Sequence, residues 1–524
     1  MKHAAKTVTA FLLCLALLLP FFGTPFRAFA AEGYFVVYVR GSTSIYKFEA
    51  DGSKRKVYDD GDYVVSVLTK ALPLLPVAKA TGNYDAYCSR VLEIMRPAYD
   101  DFRPSLEDGS VPADTRVDWY WNRDTLAQEV RERDYYEYWV DERLSPFRQA
   151  EDLNAFIETL QELTGKRQFL LYARCLGPVT AMTYLYEYQR PKHYEDVYGV
   201  ELSYATLNGM AVTDAAYTGT AYIPPQALRS FLTLKTRQGL EGELPVHLAD
   251  LLCRLVDGIA GGLGMKLTVD ELNKLYQEFK DCLFQPLIKE YYGLCLNYMA
   301  CVNDRFDEMM AYLFPTAEDK ETYAYAVGEL TRYHETVWPA IRPMLQEVLD
   351  LGKPMLIMAD YGGQQYPLNM ESEYLGDFQV GTKSMSFGAV TAKIGETLSG
   401  GYLASREAAG LGAYLSPDKK VDASTCAFRD RTFFIANFDH EWPGRYAGLE
   451  LEMMARENFD VHSDPDLPQF LWYDREKQEL LPLASVLAAE GEGEAPAGLR
   501  GVAAKIAAFF RSLAQWLREL LKIN

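Results

Sequence analysis

Gln168-Phe169-Leu170-Leu171-Tyr172-Ala173-Arg174-Cys175-Leu176-Gly177-Pro178 is the stretch from which the rest of the chain is read. Its first five residues form a short apolar run with strand character, and the residues after Pro178, to about 188, read as an apolar helix. A sharp turn joins the two, with Cys175 at its centre. Such a turn lifts its central side chain clear of the strand end, and is usually written Gly-x-Ser-x-Gly. Here it reads Ala-Arg-Cys-Leu-Gly. The turn is tight, so side chains two before and two after the central residue would collide with neighbouring strands. Ala173 and Gly177 meet that packing requirement.

Working outward, residues 34–40 are a continuous apolar strand that runs into Gly41-Ser42-Thr43. Gly41 lets the backbone come close to whatever lies opposite. Residues 45–49 with Asp51-Gly52 look like a hairpin arm, and 104–133 reads as irregular and charged. A second core strand is expected at 135–140. Ser145 then caps a helix with Pro146 at its first position, apolar residues follow at helical spacing from Phe147 to Leu163, and Gly165 closes it. This β-α-β-α order implies an α/β fold with a mainly parallel sheet. Further strands are expected at 200–207, at 354–359 and, as the last, at 431–437. Between them, 210–351 is helical throughout, too long for a connection between neighbouring strands. It reads as a helical cap inserted into the α/β domain.

The ends carry different signals. Lys2 and Lys6, an apolar run over 9–22 and Ala28-Phe29-Ala30 form a secretory leader with cleavage expected before Ala31. The mature protein is therefore expected outside the cytoplasm, extracellular or associated with the cell envelope. A net charge of −20 argues against nucleic acid as a partner. Of eight cysteines, Cys14 leaves with the leader, and the remaining seven are an odd number. An exported chain with an odd count holds an unpaired thiol or an intermolecular bridge. Cys175 is the natural unpaired one, and the sequence leaves the pairing of the others open. No metal-ligand motif, cofactor motif or Gly-rich phosphate loop is visible.

A cysteine nucleophile needs a base, and the base a carboxylate to orient it. Past the leader the histidines are His193, His247, His334, His440 and His462. His440 follows the strand expected at 431–437 by three residues. Two acids follow the preceding strand: Asp360 at its end, and Asp377 in Leu375-Gly376-Asp377-Phe378-Gln379-Val380. Asp377 is preferred for its Gly-Asp-x-x-Val setting, with Asp360 the alternative. The chain order nucleophile, acid, base is then Cys175, Asp377, His440.

With these residues assembled, 34–440 apart from the cap resembles bacterial α/β-hydrolases of the lipase and lecithin–cholesterol acyltransferase type. The resemblance lies in the strand and loop from Val36 to Ser42, in Asp141-Glu142-Arg143-Leu144-Ser145-Pro146, in the turn Arg174-Cys175-Leu176-Gly177, and in Gly376-Asp377-x-x-Val380, which is similar to the Gly-Asp-Gly-x-Val of those families. Cysteine at the turn resembles polyhydroxyalkanoate synthases and dienelactone hydrolases, which use Cys-Asp-His. Ala173, Pro178 and Arg40 depart from the usual residues. The resemblance implies acyl transfer on an ester or thioester, without a cofactor. Cys175 would be the nucleophile, His440 the base and Asp377 its orienting acid. The N–H groups of Leu176 and of Gly41 or Ser42 would receive the oxyanion. Water as acceptor makes the protein a hydrolase and an alcohol makes it an acyltransferase. The alternative from another class is a non-catalytic, envelope-associated binding protein on a hydrolase scaffold.

The expected organisation is a signal peptide at 1–30, a first core part at 31–209, the cap at 210–351, a second core part at 352–487, a flexible linker at 488–498 and an amphipathic helix at 499–524. That helix presents a broad apolar face including Phe509, Phe510 and Trp516, opposite Arg500, Lys505, Arg511, Arg518 and Lys522. It suits peripheral attachment to an anionic membrane and is too often interrupted by charge to span one. The expected partners are thus a small acyl ester or lipid substrate and, through the helix, an anionic lipid surface.

Overall fold

A computed structural model describes residues 33–41, 44–57, 70, 74–131, 133–240, 253–254, 256–258, 261–292, 295–438, 440, 454, 459–474 and 479–490. The expected leader at 1–30, the expected terminal helix with Phe509, Phe510 and Trp516, and Ser42 lie outside them.

Eight strands build the main sheet: β1 (Tyr34–Arg40), β2 (Tyr135–Trp139), β3 (Gln168–Arg174), β4 (Val197–Ser203), β5 (Met355–Asp360), β6 (Thr432–Ala436), β7 (Phe470–Asp474) and β8 (Glu479–Pro482). Their order across the sheet is β8-β7-β6-β5-β4-β3-β1-β2. Every neighbouring pair is parallel except β7 with β8, which is antiparallel. Alternation decides what each face buries. On β1, Phe35, Val37 and Val39 enter one core, while Tyr34 and Val36 enter the other. The first core is covered by α1 (Pro146–Thr164), α2 (Gly177–Tyr184) and α3 (Trp338–Asp350), through side chains such as Phe156, Met182 and Leu345. The second is closed by the segments around Leu375, Val421 and Val461 and by the helix that begins at Leu483.

Three sequence expectations change. The strand near 431–437 is not the last: β7 and β8 follow it. β7 is set among polar segments such as Asp460 to Asp466, which hid it from a periodicity reading. The charged segment 104–133 is not irregular throughout. Thr115–Val117 joins Ile45–Phe48 and Lys54–Lys56 in a three-stranded antiparallel sheet, and Arg123–Glu129 is a helix closed by an Asn122 capping box. The wholly buried Arg143 ties that small sheet to the end of β2 by pairing with Asp141 at 2.7 Å and donating to the Thr115 hydroxyl at 3.0 Å. The residues at 488–490, read as linker, continue the helix Leu483–Glu490.

The segment between β4 and β5 is mainly helical where it is described, from Ala211–Tyr217 to α3, with turns and loops between the helices. Its second half is not detached from the sheet. Leu296, Met299, Cys301, Leu330 and Val337 share one core with Ala173, Leu176 and Val179. Its first half reaches further out. Phe279 and the π-helical turn Lys280–Phe284 pack on the helix Tyr84–Tyr99, where Cys88 and Cys282 are joined by a disulfide. Cys175, Cys301 and Cys426 are not in disulfides.

Candidate active site

Strand order alone singles out one place on this sheet. β1 and β3 are neighbours, but the chain leaves β1 for β2 on one side and leaves β3 for β4 on the other. The connections therefore diverge above the carboxyl ends of β1 and β3, leaving a crevice of the kind in which parallel α/β sheets hold ligands. Gly41 ends β1 there and Cys175 ends β3.

The turn at Cys175 is strained. Its φ is 57°, in the left-handed region that a non-glycine residue seldom adopts. Surrounding bonds hold it there. The Cys175 N–H donates to the Ser203 carbonyl at 3.1 Å, and its own carbonyl accepts from the N–H and hydroxyl of Thr206 at 3.2 and 3.1 Å. The two expected small residues are packed as the turn requires. Ala173 is fully buried. A Cβ on Gly177 would stand 2.1 Å from the Val39 carbonyl oxygen. Leu176 is the N-cap of α2, and Pro178 lies in its first turn, where an N–H has no intrahelical acceptor. A Cβ on Gly41 would lie 2.7 Å from Cys175 Cβ and 3.0 Å from the Leu176 nitrogen. Gly41 is thus the residue that lets β1 close over the thiol and the Leu176 N–H.

His440 reaches this point from the far side of β4 and β5. Its Nε2 is 3.0 Å from Cys175 Sγ and its Nδ1 is 2.6 Å from Asp377 Oδ2. Asp377 is fully buried. Its other oxygen, Oδ1, accepts from the N–H groups of Gln379 and Val380 at 2.9 and 2.6 Å, and its own N–H donates to the Val380 carbonyl at 3.0 Å. This closed turn is the physical content of the Gly-Asp-x-x-Val pattern: a Cβ on Gly376 would lie 2.4 Å from the Val380 oxygen, and Phe378 takes a φ of 77°. Gly362 lets the loop after β5 cross the loop after β6, because a Cβ there would stand 2.7 Å from the Asn437 and Phe438 nitrogens. Asp360, the alternative acid, is buried within β5, and the acid bonded to His440 is Asp377. The other histidines lie elsewhere. His334 stacks between Phe306 and Trp338, His462 faces Asp430, His193 follows a surface turn, and His247 lies outside the described residues.

The electrostatics separate Cys175 from the other thiols. Burial pushes Cys295, Cys301 and Cys426 up, the last two to about 12. Burial acts on Cys175 in the same direction and is the largest single influence, yet His440 and then Arg174 outweigh it and hold this thiol below the ordinary range. Burial disfavours the imidazolium of His440, but Asp377 and Cys175 together hold it well above the ordinary histidine range. The two shifts describe one coupled pair, and their common direction is thiolate facing imidazolium.

Two contributors escaped the sequence reading. Arg174, inside the quoted turn, is buried and donates from Nη2 to the His440 carbonyl at 3.2 Å. Tyr204, at the end of β4 with a φ of 54°, lies edge-on to the His440 ring and stacks on Phe438. The signal for Arg174 was present: arginine in an otherwise apolar core strand is seldom buried without a partner. A cavity of about 1170 Å³ opens nearby, lined among others by Asn208, Asp214, Arg305, Trp338, Tyr374 and Lys383. Neither Cys175 nor His440 lines it, so the chemistry is placed by the thiol and imidazole geometry and not by this cavity. No family model matches the chain, and no curated protein matches it.

Proposed function

We propose that this protein is an exported acyl hydrolase of the α/β-hydrolase fold, acting on ester or thioester bonds through an acyl-enzyme on Cys175. The observation that carries this reading is a single imidazole placed between a sulfur at 3.0 Å and a buried carboxylate at 2.6 Å. A thiolate held at a strained strand end is an activated nucleophile. Cys175 Sγ attacks the carbonyl carbon, and the carbonyl π electrons move to oxygen. The Leu176 N–H at the start of α2, and a backbone N–H at or just after Gly41, receive that oxyanion. The intermediate collapses, the bond to the leaving group breaks, and His440 Nε2 gives its proton to the departing alcohol or thiol. Neutral His440 then takes a proton from water as the water attacks the thioester, and Cys175 leaves as thiolate. Asp377 keeps Nδ1 protonated throughout and stabilises the imidazolium.

The sheet order supports the fold part of the proposal. The nucleophile, acid and base follow β3, β5 and β6, the places these residues take in that fold. An alcohol in place of water gives an acyltransferase of the same mechanism. The test is a panel of short and medium acyl p-nitrophenyl esters offered to the mature protein with and without iodoacetamide. The expected result is release of p-nitrophenol that alkylation abolishes. Absence of release from every ester in the panel favours the binding-protein alternative.

A further inference from the structure

We propose that Arg174 is the positioning residue of this site, clamping the His440 loop to the end of β3 and supplying the fixed positive charge that balances Cys175 and Asp377. Its bearing on turnover rests on the acyl-transfer reading above; its hold on the thiol does not.

The need for a clamp follows from the sheet. β3 and β6 are separated by β4 and β5, about 14 Å at the usual strand spacing. His440 sits on the loop beyond β6 and has to reach back over that distance. Its polar groups are all engaged in holding it there. The N–H donates to the Asp377 carbonyl at 3.0 Å, Nδ1 to Asp377 Oδ2, Nε2 meets Cys175 Sγ, and the carbonyl accepts from Arg174. Three of these four contacts lead to Asp377 or to the thiol. Arg174 is the contact that fastens the backbone of this loop to the strand carrying the nucleophile. Its guanidinium lies over the Tyr204 ring, 4.7 Å from the centroid, and Tyr204 in turn lies edge-on to the imidazole. The cation is thereby held on two sides.

The need for a charge follows from the choice of cysteine. A serine nucleophile rests neutral, so one carboxylate and one histidine suffice around it. A cysteine resting as thiolate adds a second anion beside buried Asp377, and one imidazolium cannot balance both. Arg174 supplies the second cation, and guanidinium does not lose its proton in the working pH range. Among the described residues, the following groups near the thiol do not change this balance. Tyr38, on the neighbouring strand, is held above its ordinary range by burial and stays neutral. Cys301, from the helical segment, is pushed up to about 12 and also stays neutral. Arg40 and Glu137 pair with each other at 3.4 Å at the strand ends.

The experiment is iodoacetamide alkylation of Cys175 as a function of pH, read by mass spectrometry on the peptide that carries it, alongside kcat and KM on the best ester found. Arg174→Gln is expected to move the alkylation inflection up by about one pH unit, which is about tenfold less thiolate below the inflection. It is also expected to lower kcat about tenfold with little change in KM. Arg174→Lys keeps the charge and loses the planar fork, so its inflection stays near that of the wild type while kcat falls. A folded Arg174→Gln protein with an unmoved inflection overturns the proposal. If the glutamine variant does not fold, Arg174→Lys decides: lowered kcat at an unmoved inflection supports the clamp, and wild-type kcat overturns it. A moved inflection in a protein without ester turnover keeps the role of Arg174 and removes the acyl-transfer reading. Turnover with an unmoved inflection does the reverse.

Discussion

Cys175 is the residue on which chemistry and strain meet. It is held in a left-handed turn by Ser203 and Thr206, and its thiol is lowered where neighbouring buried thiols are raised. Cys175→Ala is expected to lower kcat by a factor on the order of 10³ or more, while Cys175→Ser retains a measurable fraction. Equal activity in wild type and alanine variant sinks the mechanism. The pH dependence has a definite sign. Thiolate persists below the ordinary thiol range and is lost as pH falls through the depressed value for Cys175. Imidazolium persists above the ordinary histidine range and is lost as pH rises through the raised value for His440. Alkylation of Cys175 should therefore stay fast at a neutral pH where a free thiol reacts slowly. The acid is tested by substitution at both candidates. Asp377→Asn is expected to lower kcat by a factor on the order of 10³ to 10⁴, because Nδ1 loses its carboxylate. Asp360→Asn should leave the pH profile of kcat/KM in place, and a collapse of that profile would reverse the assignment.

At the scale of elements, the site depends on how closely α2 and the loop after β1 approach each other. Gly177 lies against the Val39 carbonyl with no room for a methyl group. Gly177→Ala is expected to cost about 1–3 kcal/mol of stability through overpacking, read as a lower denaturation midpoint. A variant as stable as wild type would mean that α2 can shift away from β1. Most of this layer was legible in the sequence. The strands are apolar runs flanked by turn residues, and helix α1 announces itself through Ser145, Pro146 and Gly165. The short elements were not legible. β8 and Thr115–Val117 are too brief for periodicity to distinguish from loop, and β7, as long as β2, is set among polar segments; all three are strands because neighbouring strands offer them pairing. Arg174 escaped for a related reason: its partner His440 lies 266 residues away in sequence, beyond any local pattern. Asp377 was legible because its turn is built from residues within four positions of one another.

At the scale of the whole molecule, an acidic chain carries a basic segment rich in apolar residues at 499–524, read from the sequence as an amphipathic helix. No helix of the described residues is long and apolar enough to cross a membrane, and 499–524 lies outside them. Peripheral attachment through Phe509, Phe510 and Trp516 stays a proposal, tested by co-sedimentation with anionic vesicles. Mature protein is expected to pellet with them and protein lacking 499–524 to stay in solution; equal behaviour of the two forms removes the anchor. The central claim, that Cys175, His440 and Asp377 form one acyl-transfer site, is tested most directly by a rapid-mixing burst with p-nitrophenyl acetate, followed by acid quench and mass spectrometry of the intact and digested protein. The account predicts a burst of about one p-nitrophenol per protein molecule when deacylation is the slower step, with a single acetyl group on the peptide carrying Cys175. An acetyl group found on another residue, or ester turnover that persists unchanged in Cys175→Ala, would contradict it.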